Sequence, residues 1–311
     1  MNLQWLPRRA EYYFRRLSVF YQQKGILFAL REAAGFLWRR KFFASFLAES
    51  IEYHCIAPWR SIPRTVRKVL QQSKLHSDRV AIYVGFDRDS KILTHVEGQV
   101  RALKNAGYEI IFVSTSPEMP DSEFSKIKDQ VAVGLHRENQ GYDFVSWKVG
   151  YSFLEPHLSN CSSVVLMNDS CLGPYFDLAP VLEQMRSASD SIYGITLSTE
   201  MGPFIQSYFF HFSEMPLKTG AIGGFMDRIR ILNSKWGIVR YFEIGGSRYL
   251  MDRGYQLKAL IDAREARIQA RLAKAGAPEP TRDPLGSAWV EEKLNPFYKR
   301  SNVKSNINGS A

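Results

Sequence analysis

Val80-Ala81-Ile82-Tyr83-Val84-Gly85-Phe86 is a short apolar run that follows a polar stretch. A run of this kind, apolar at nearly every position, reads as a strand buried on both faces. Downstream, residues 96–106 place Val96, Val100 and Leu103 at helical spacing, and Gly107 closes the helix as its C-terminal cap. Residues 108–114, with Ile110, Ile111, Phe112 and Val113, predict a second strand, and Val131-Ala132-Val133 a third. Residues 144–154 predict a helix and residues 162–167 a fourth strand. The order β–α–β–β–α–β predicts an open α/β sheet, at least partly parallel and flanked by helices. Further along, residues 192–197 and 205–212 predict strands, and residues 222–233, 241–253 and 256–275 predict helices.

The 311 residues suffice for one large domain or two small ones, and 45% apolar with 23% charged residues is globular composition. Mean hydropathy is −0.24, and no stretch reaches the length of apolar sequence that a membrane span needs. Charge is unevenly placed. Residues 1–79 hold 15 Lys/Arg against 5 Asp/Glu and carry the whole formal +10, leaving 26 of each sign in the remainder. The division predicted is a basic helical N-terminal arm over 1–79 and a neutral body over 80–311. Within the arm, residues 7–47 interleave arginines with aromatics such as Tyr13, Phe20, Phe28 and Trp38. Two readings stand: an amphipathic arm lying on an anionic membrane surface, or helices packed on the body with solvated arginines. Nucleic acid is not expected as a partner, because the basic segment carries no nucleic-acid-binding motif. Nor does the start of the chain read as a secretory signal, since Arg8, Arg9, Glu11, Arg15 and Arg16 interrupt any apolar core. Three cysteines without metal-like spacing imply a reducing compartment.

Ligands of open α/β sheets bind beyond the C-terminal strand ends, and two polar segments fall there. Asn168-Asp169-Ser170 follows the fourth strand and leads to Gly173-Pro174. Arg137-Glu138-Asn139-Gln140-Gly141-Tyr142-Asp143-Phe144 follows the third strand and opens a helix. An arginine offers a fork for phosphate oxygens, and a carboxylate after a buried strand suits a divalent ion or sugar hydroxyls. Each segment is also ordinary turn chemistry, and only their convergence makes a site. His-Glu-x-x-His, Gly-x-Ser-x-Gly and Gly-x-x-x-x-Gly-Lys-Ser/Thr patterns do not occur, which argues against the zinc-hydrolase and serine-hydrolase readings and leaves a P-loop ATPase unsupported.

Residues 137–174 resemble the nucleotide-sugar half of GT-A glycosyltransferases, in which an Arg/Asn/Gly loop leads through a helix to an apolar strand ending in a short acidic motif. The chain is similar in particular to the rhamnan synthesis protein F family of bacterial polysaccharide glycosyltransferases. Arg137, Asn139, Gly141, Asp143, Phe144, Trp147 and Lys148 carry the likeness, with Asn168-Asp169-Ser170 and Gly173-Pro174. Tyr193-Gly194-Ile195-Thr196, Gln206-Ser207-Tyr208-Phe209, Tyr241-Phe242-Glu243, Gly254-Tyr255 and Pro296-Phe297-Tyr298-Lys299-Arg300 extend it over roughly residues 80–302.

The resemblance implies a GT-A-like, Rossmann-like sheet and transfer of a sugar from a nucleotide-sugar, dTDP-rhamnose by the family name. The acceptor would be a lipid-linked glycan or polysaccharide, at the inner face of a bacterial plasma membrane. It implies donor binding by Arg137, Asn139, Gly141, Lys148, Asn168, Asp169 and Ser170. Gln206, Ser207, Tyr208 and His211 would line the acceptor cleft, with core packing as the other reading of that strand. Glu243 is the expected general base; Asp143 would act there instead or cap its helix. Asp169 is the candidate ligand for Mg²⁺ or Mn²⁺, but Asn168 stands where Asp-x-Asp has its first carboxylate, so metal dependence stays open. Trp147 reads as a core residue. The contrasting function is a catalytically silent scaffold of a polysaccharide assembly complex.

Overall fold

The computed structural model describes residues 40–62, 65–275 and 286–300, with the side chains of 40–44, 275 and 286–288 outside that description. Most of the 7–47 arm therefore lies outside the described residues. Among the described residues no helix is long and apolar enough to cross a membrane.

The strands are β1 (Val66–Gln72), β2 (Arg79–Gly85), β3 (Glu109–Ser114), β4 (Val133–Arg137), β5 (Ser163–Asn168) and β6 (Cys171–Leu172). They continue with β7 (Ser191–Ser198), β8 (Phe204–Ile205), β9 (Phe209–Ser213), β10 (Gln256–Asp262) and β11 (Tyr298–Lys299). The main sheet runs β1-β4-β3-β2-β5-β9-β7-β10, with β8 paired to β7, while β6 and β11 form a separate pair. Around β2 the sheet is parallel, because β2 pairs in parallel with both β3 and β5, and β3 with β4. Antiparallel pairing enters at β1 on one side and β9 on the other. The open, mixed sheet expected from the apolar runs is thus the fold.

The apolar run at 80–86 forms most of β2, and its alternation divides two cores. Val80, Ile82 and Val84 face one core together with Phe144, Val145 and Trp147 of helix Tyr142–Leu154. Ala81 and Tyr83 face the other with Val96, Val100 and Leu103 of helix Thr94–Asn105. Each large side chain buried this way contributes roughly 1.5–3 kcal/mol, so β2 is held from both faces. Helix 142–154 approaches closely because Gly150 faces the sheet; a Cβ there would stand 2.4 Å from Ile82 Cγ2. A buried polar chain fixes the other face. Tyr83 donates from Oη to Gln99 Oε1 at 2.6 Å, and Gln99 Nε2 donates to the Cys171 carbonyl at 2.8 Å.

Several expectations change, and the helix predicted over 222–233 ends at Asp227. The third strand lies at Val133–Arg137 rather than 131–133, because pairing with β1 carries it on until Arg137 stands opposite Val66. Residues 256–275 are not one helix: 256–262 form β10, parallel to β7 with Leu257 and Ile261 buried, and the helix is Ala266–Ala275. Arg264 makes the break, pairing with Asp262 and donating to the Leu257 carbonyl. Residues 205–212 divide into β8 and β9 around Gln206–Tyr208.

The body also begins before residue 80. β1 is an edge strand of the sheet, exposing Arg67 and Lys68, the kind of charged edge that discourages further pairing. Helix Arg40–Ile51 and the turn after it pack on the body as well. Ser234 donates to buried Glu49, Tyr53 stacks on Tyr241 at 4.0 Å, and Arg60 bridges Glu52 and the Ile231 carbonyl.

Candidate functional site

β2 has β3 on one side and β5 on the other, so the strand order reverses between β2 and β5. A small crevice of about 10 Å³ lies beyond the C-terminal strand ends, the side on which such sheets bind ligands. Gly85 at the end of β2 with Phe86 and Asp87 after it, Ser114 at the end of β3 with Ser116 beyond it, and Asp169 after β5 line it. Ser116 Oγ accepts from Asp87 N at 3.0 Å, and Asp87 Oδ1 accepts from the backbone of Asp89 and Lys91, which folds the rim.

Asn168 ties the site together. Its Nδ2 donates to Asp143 Oδ2 at 2.8 Å and to the Ser207 carbonyl at 3.0 Å, while its Oδ1 accepts from Ser170 N at 3.1 Å. One amide thus joins the start of helix 142–154, the link between β8 and β9, and the Asn-Asp-Ser turn. Both acceptors need an N–H donor, which explains why an amide stands where Asp-x-Asp has a carboxylate. Asn168→Asp would set a further negative group against Asp143 and a carbonyl. Its expected cost is about 2–4 kcal/mol at pH 8, shrinking at pH 5 as the carboxyls protonate. Urea unfolding at the two pH values measures this, and equal stability at pH 8 would contradict it.

The buried Asp169 carboxylate accepts from Phe86 N through Oδ2 at 3.3 Å and from Arg300 Nη1 at 3.1 Å. Arg300 Nη1 also reaches the Asp169 carbonyl at 3.2 Å, as does His95 Nε2 at the same distance. Burial, then repulsion from Asp143, pushes the Asp169 carboxyl up to about 7 against the pull of Arg300. Asp143 is pushed up to about 6, chiefly by burial, with Glu243 adding to it and Lys299, Asn168 and Arg137 opposing. Two neighbouring carboxyls pushed toward neutrality are the kind of groups acid–base chemistry employs.

Glu243 lies within a wide helical turn, Val239–Ile244, rather than in the first turn of a helix. Its Oε1 accepts from Ser207 N at 2.7 Å, which braces the same link that Asn168 holds. Lys299 Nζ donates to Ser170 Oγ at 3.2 Å and lies 5.5 Å from the Tyr208 ring centroid. Asp143, Asn168, Asp169, Ser170, Ser207 and Glu243 are therefore one constellation, joined by Lys299 and Arg300.

Other expected site residues lie elsewhere. Arg137 is fully buried at the end of β4 and does not face the crevice. Its Nε, Nη1 and Nη2 donate to Thr65 Oγ1, Ser146 Oγ and the Gln140 carbonyl, and burial lowers its pKa to about 10. It shapes the 138–141 loop, on which Asn139 is exposed and Gly141 takes the left-handed φ of +74° that opens the helix. Lys148 is committed to the Ile229 carbonyl at 3.3 Å. His211 is fully buried, shares a hydrogen bond with Ser163 Oγ at 2.8 Å, and is pushed down to about 3 by burial. No acceptor can touch it there. Tyr208 is buried, and so is Gln206, which accepts from Thr196 Oγ1 at 2.6 Å; of the four expected acceptor residues only Ser207 is partly open.

An open concavity of about 700 Å³ adjoins the crevice, lined by Leu93, His95, Leu172, Pro174, Tyr175 and Arg300. Asp87, Ser116, Lys299 and Arg300 were not expected in the site. The family-like segment ending in Lys299-Arg300 was the one sequence signal for the last two.

No three His, Cys, Asp or Glu side chains gather as a metal set among the described residues. Asn168 offers Nδ2 as a donor toward Asp143, and Asp169 Oδ2 is already held by Phe86 and Arg300. These residues do not make a resident metal site; any ion would arrive with the phosphates of a ligand.

Virulence protein VirA of Vibrio anguillarum is 26% identical over 208 residues, covering 65% of this chain and 66% of that protein. The chain spans between 43% and 66% of the length of the curated relatives it matches. A protein assigned as a nucleotide-diphospho-sugar transferase from Desulfovibrio desulfuricans G20 superposes with a TM-score of 0.37 at 12% identity, over 60% of this chain and 81% of that one. The mannosyltransferase PcManGT of Pyrobaculum calidifontis, in complex with GDP-Man and Mn²⁺, superposes at 0.34 with 13% identity, over 79% of this chain and 73% of that one. Residues 110–306, a span that includes Asp143, the Asn168-Asp169-Ser170 turn, Glu243 and the Lys299-Arg300 pair, match rhamnan synthesis protein F, and the chain belongs to that family.

Proposed function

We propose that the protein is a nucleotide-sugar-dependent glycosyltransferase of polysaccharide synthesis, with dTDP-rhamnose as donor and a lipid-linked or polysaccharide glycan, such as a lipopolysaccharide O-antigen, as acceptor. The observation that carries this reading is the meeting of Asp143, Asn168 and Asp169 with two cations at the reversal point of the sheet. The nucleoside lies against Gly85–Asp87 and Ser116, and the diphosphate passes Asp169. Asp143 is the stronger candidate for accepting the acceptor's proton, because it is held near neutrality by burial, whereas Glu243 Oε1 already braces Ser207. Glu243 then acts as a positioning residue. The acceptor approaches over Ser207 or through the concavity beside Tyr175.

Residues 7–47 attach the enzyme to the anionic inner face of the plasma membrane in this reading. Exposed Leu47, Ile51, Ile56 and Trp59, on the helix and turn that follow, support it by offering apolar contact beside the basic segment.

Thermal shift against nucleotide diphosphates and nucleotide-sugars, each with and without Mg²⁺ or Mn²⁺, tests the donor reading. A ligand at one hundred times its Kd adds about 2.7 kcal/mol of stability. Selective stabilisation by dTDP or dTDP-rhamnose is the expected result. Silence toward every nucleotide would favour the scaffold function.

A further inference from the structure

The cations at the Asn168-Asp169-Ser170 turn come from the far end of the chain, and backbone pairing sets them there. β11 pairs antiparallel with β6, Tyr298 opposite Leu172 and Lys299 opposite Cys171, and Arg300 N donates to the Ser170 carbonyl at 3.1 Å. This register lays Lys299 on Ser170 Oγ and Arg300 on both the carboxylate and the carbonyl of Asp169. Asp169 lines the crevice on the β2 side, while Arg300 lines the adjoining concavity. An anion running from one to the other crosses the ion pair.

Asp143 and Asp169 alone would repel a diphosphate at this place. Three cations act on them: Lys299 and Arg137 draw Asp143 toward its charged form, and Arg300 draws Asp169. Arg137 is not available for this purpose, since its three nitrogens are engaged inside the body. Arg300, by contrast, is about one-third exposed, with a guanidinium fork suited to two phosphate oxygens at once.

We propose that Arg300, with Lys299 beside it, holds the donor's diphosphate at Asp169 and supplies the positive charge for which a resident divalent ion is not built into this site. The inference rests on the nucleotide-sugar reading above and assigns the diphosphate subsite within it. Asp169 then serves to hold Arg300 in place until the phosphates arrive and share it. Charge on the departing diphosphate is met by fixed N–H donors, which is where electrostatic stabilisation has its largest effect.

Isothermal calorimetry of the full chain with dTDP, UDP and GDP, and with the matching nucleosides, tests this in EDTA and again in Mn²⁺. Wild-type protein is expected to bind at least one diphosphate in EDTA. Arg300→Ala is expected to weaken that binding about 10–100-fold, the size of a charge-assisted hydrogen bond, and to leave nucleoside affinity within about twofold. Arg300→Lys should recover part of the loss. Lys299→Ala, which leaves the Asp169 pair intact, provides a second variant should the first melt early. Diphosphate binding that requires Mn²⁺, or cation variants that bind as wild type does in EDTA, would overturn the proposal while the donor reading stands. Failure of the wild type to bind any diphosphate under either condition would overturn both.

Discussion

Asp169→Asn is expected to lower sugar transfer at least a hundredfold and, at pH 8, to melt higher than wild type. The activity loss follows from removing the charge that holds Arg300 beside the Asn168-Asp169-Ser170 turn. The stability gain follows from the carboxyl's raised pKa, about 7 in the folded protein against 3.8 for the free group. Between those values the folded state binds a proton that the unfolded state has released, so stability falls as pH rises through this window. Below pH 4 the penalty is absent; above pH 7 it is complete. A shift of about three units, already net of the Arg300 attraction, corresponds to at most about 4 kcal/mol, and burial of the new amide offsets part of it. A net gain of about 2 kcal/mol at pH 8, vanishing near pH 4, is therefore expected from melts across pH. A variant less stable than wild type at pH 8 would make Asp169 a structural residue. An active one would remove it from the donor site.

Trp147→Ala carries the largest expected cost in stability. The indole is fully buried between the sheet and helix 142–154, with edge contacts to Phe144 at 5.1 Å and Phe210 at 6.0 Å between ring centroids. Truncating such a ring costs about 3–5 kcal/mol. Its Nε1 also donates to the Met167 carbonyl at 3.1 Å, one residue before Asn168. Losing that donor removes a buried hydrogen bond at the end of the strand that positions Asn168 and Asp169. Urea unfolding should show the full loss for Trp147→Ala and about 1–2 kcal/mol for Trp147→Phe, which keeps most of the packing. Should Trp147→Ala unfold as wild type does while losing only ligand binding, the ring is a sugar platform and not core.

What the sequence revealed tracks how strongly each segment's own pattern constrains it. β2, β3, β5 and helices 94–105 and 142–154 were legible because strands buried on both faces need apolar residues throughout and amphipathic helices need them periodically. β1 was not, since an edge strand with exposed Arg67 and Lys68 looks like part of the basic segment before it. β10 was not, because Leu257, Ile261 and Ile268 are compatible with helical spacing until Arg264 closes a turn on Asp262.

The site divides the same way. Asp143, Asn168, Asp169 and Ser170 were recognisable because they sit in loops directly attached to buried strands and a helix start. His211 was misplaced because a polar tip on an aromatic strand does not disclose that both faces of β9 are covered; His211 instead finds Ser163 on the neighbouring strand. Arg137 looked like a phosphate fork because a sequence does not show that a guanidinium has three neutral partners underneath a helix.

The sequence by itself determined the α/β order and placed carboxylates beyond the C-terminal strand ends, since these depend on neighbours within a few residues. Tertiary structure alone decided which cation meets them. Arg300 lies 131 positions from Asp169 along the chain, and only the antiparallel register of β11 on β6 brings the two charges within 3.1 Å. Ion pairing falls off over a few ångströms in space and is indifferent to separation in sequence, so this contact had no local signature to read.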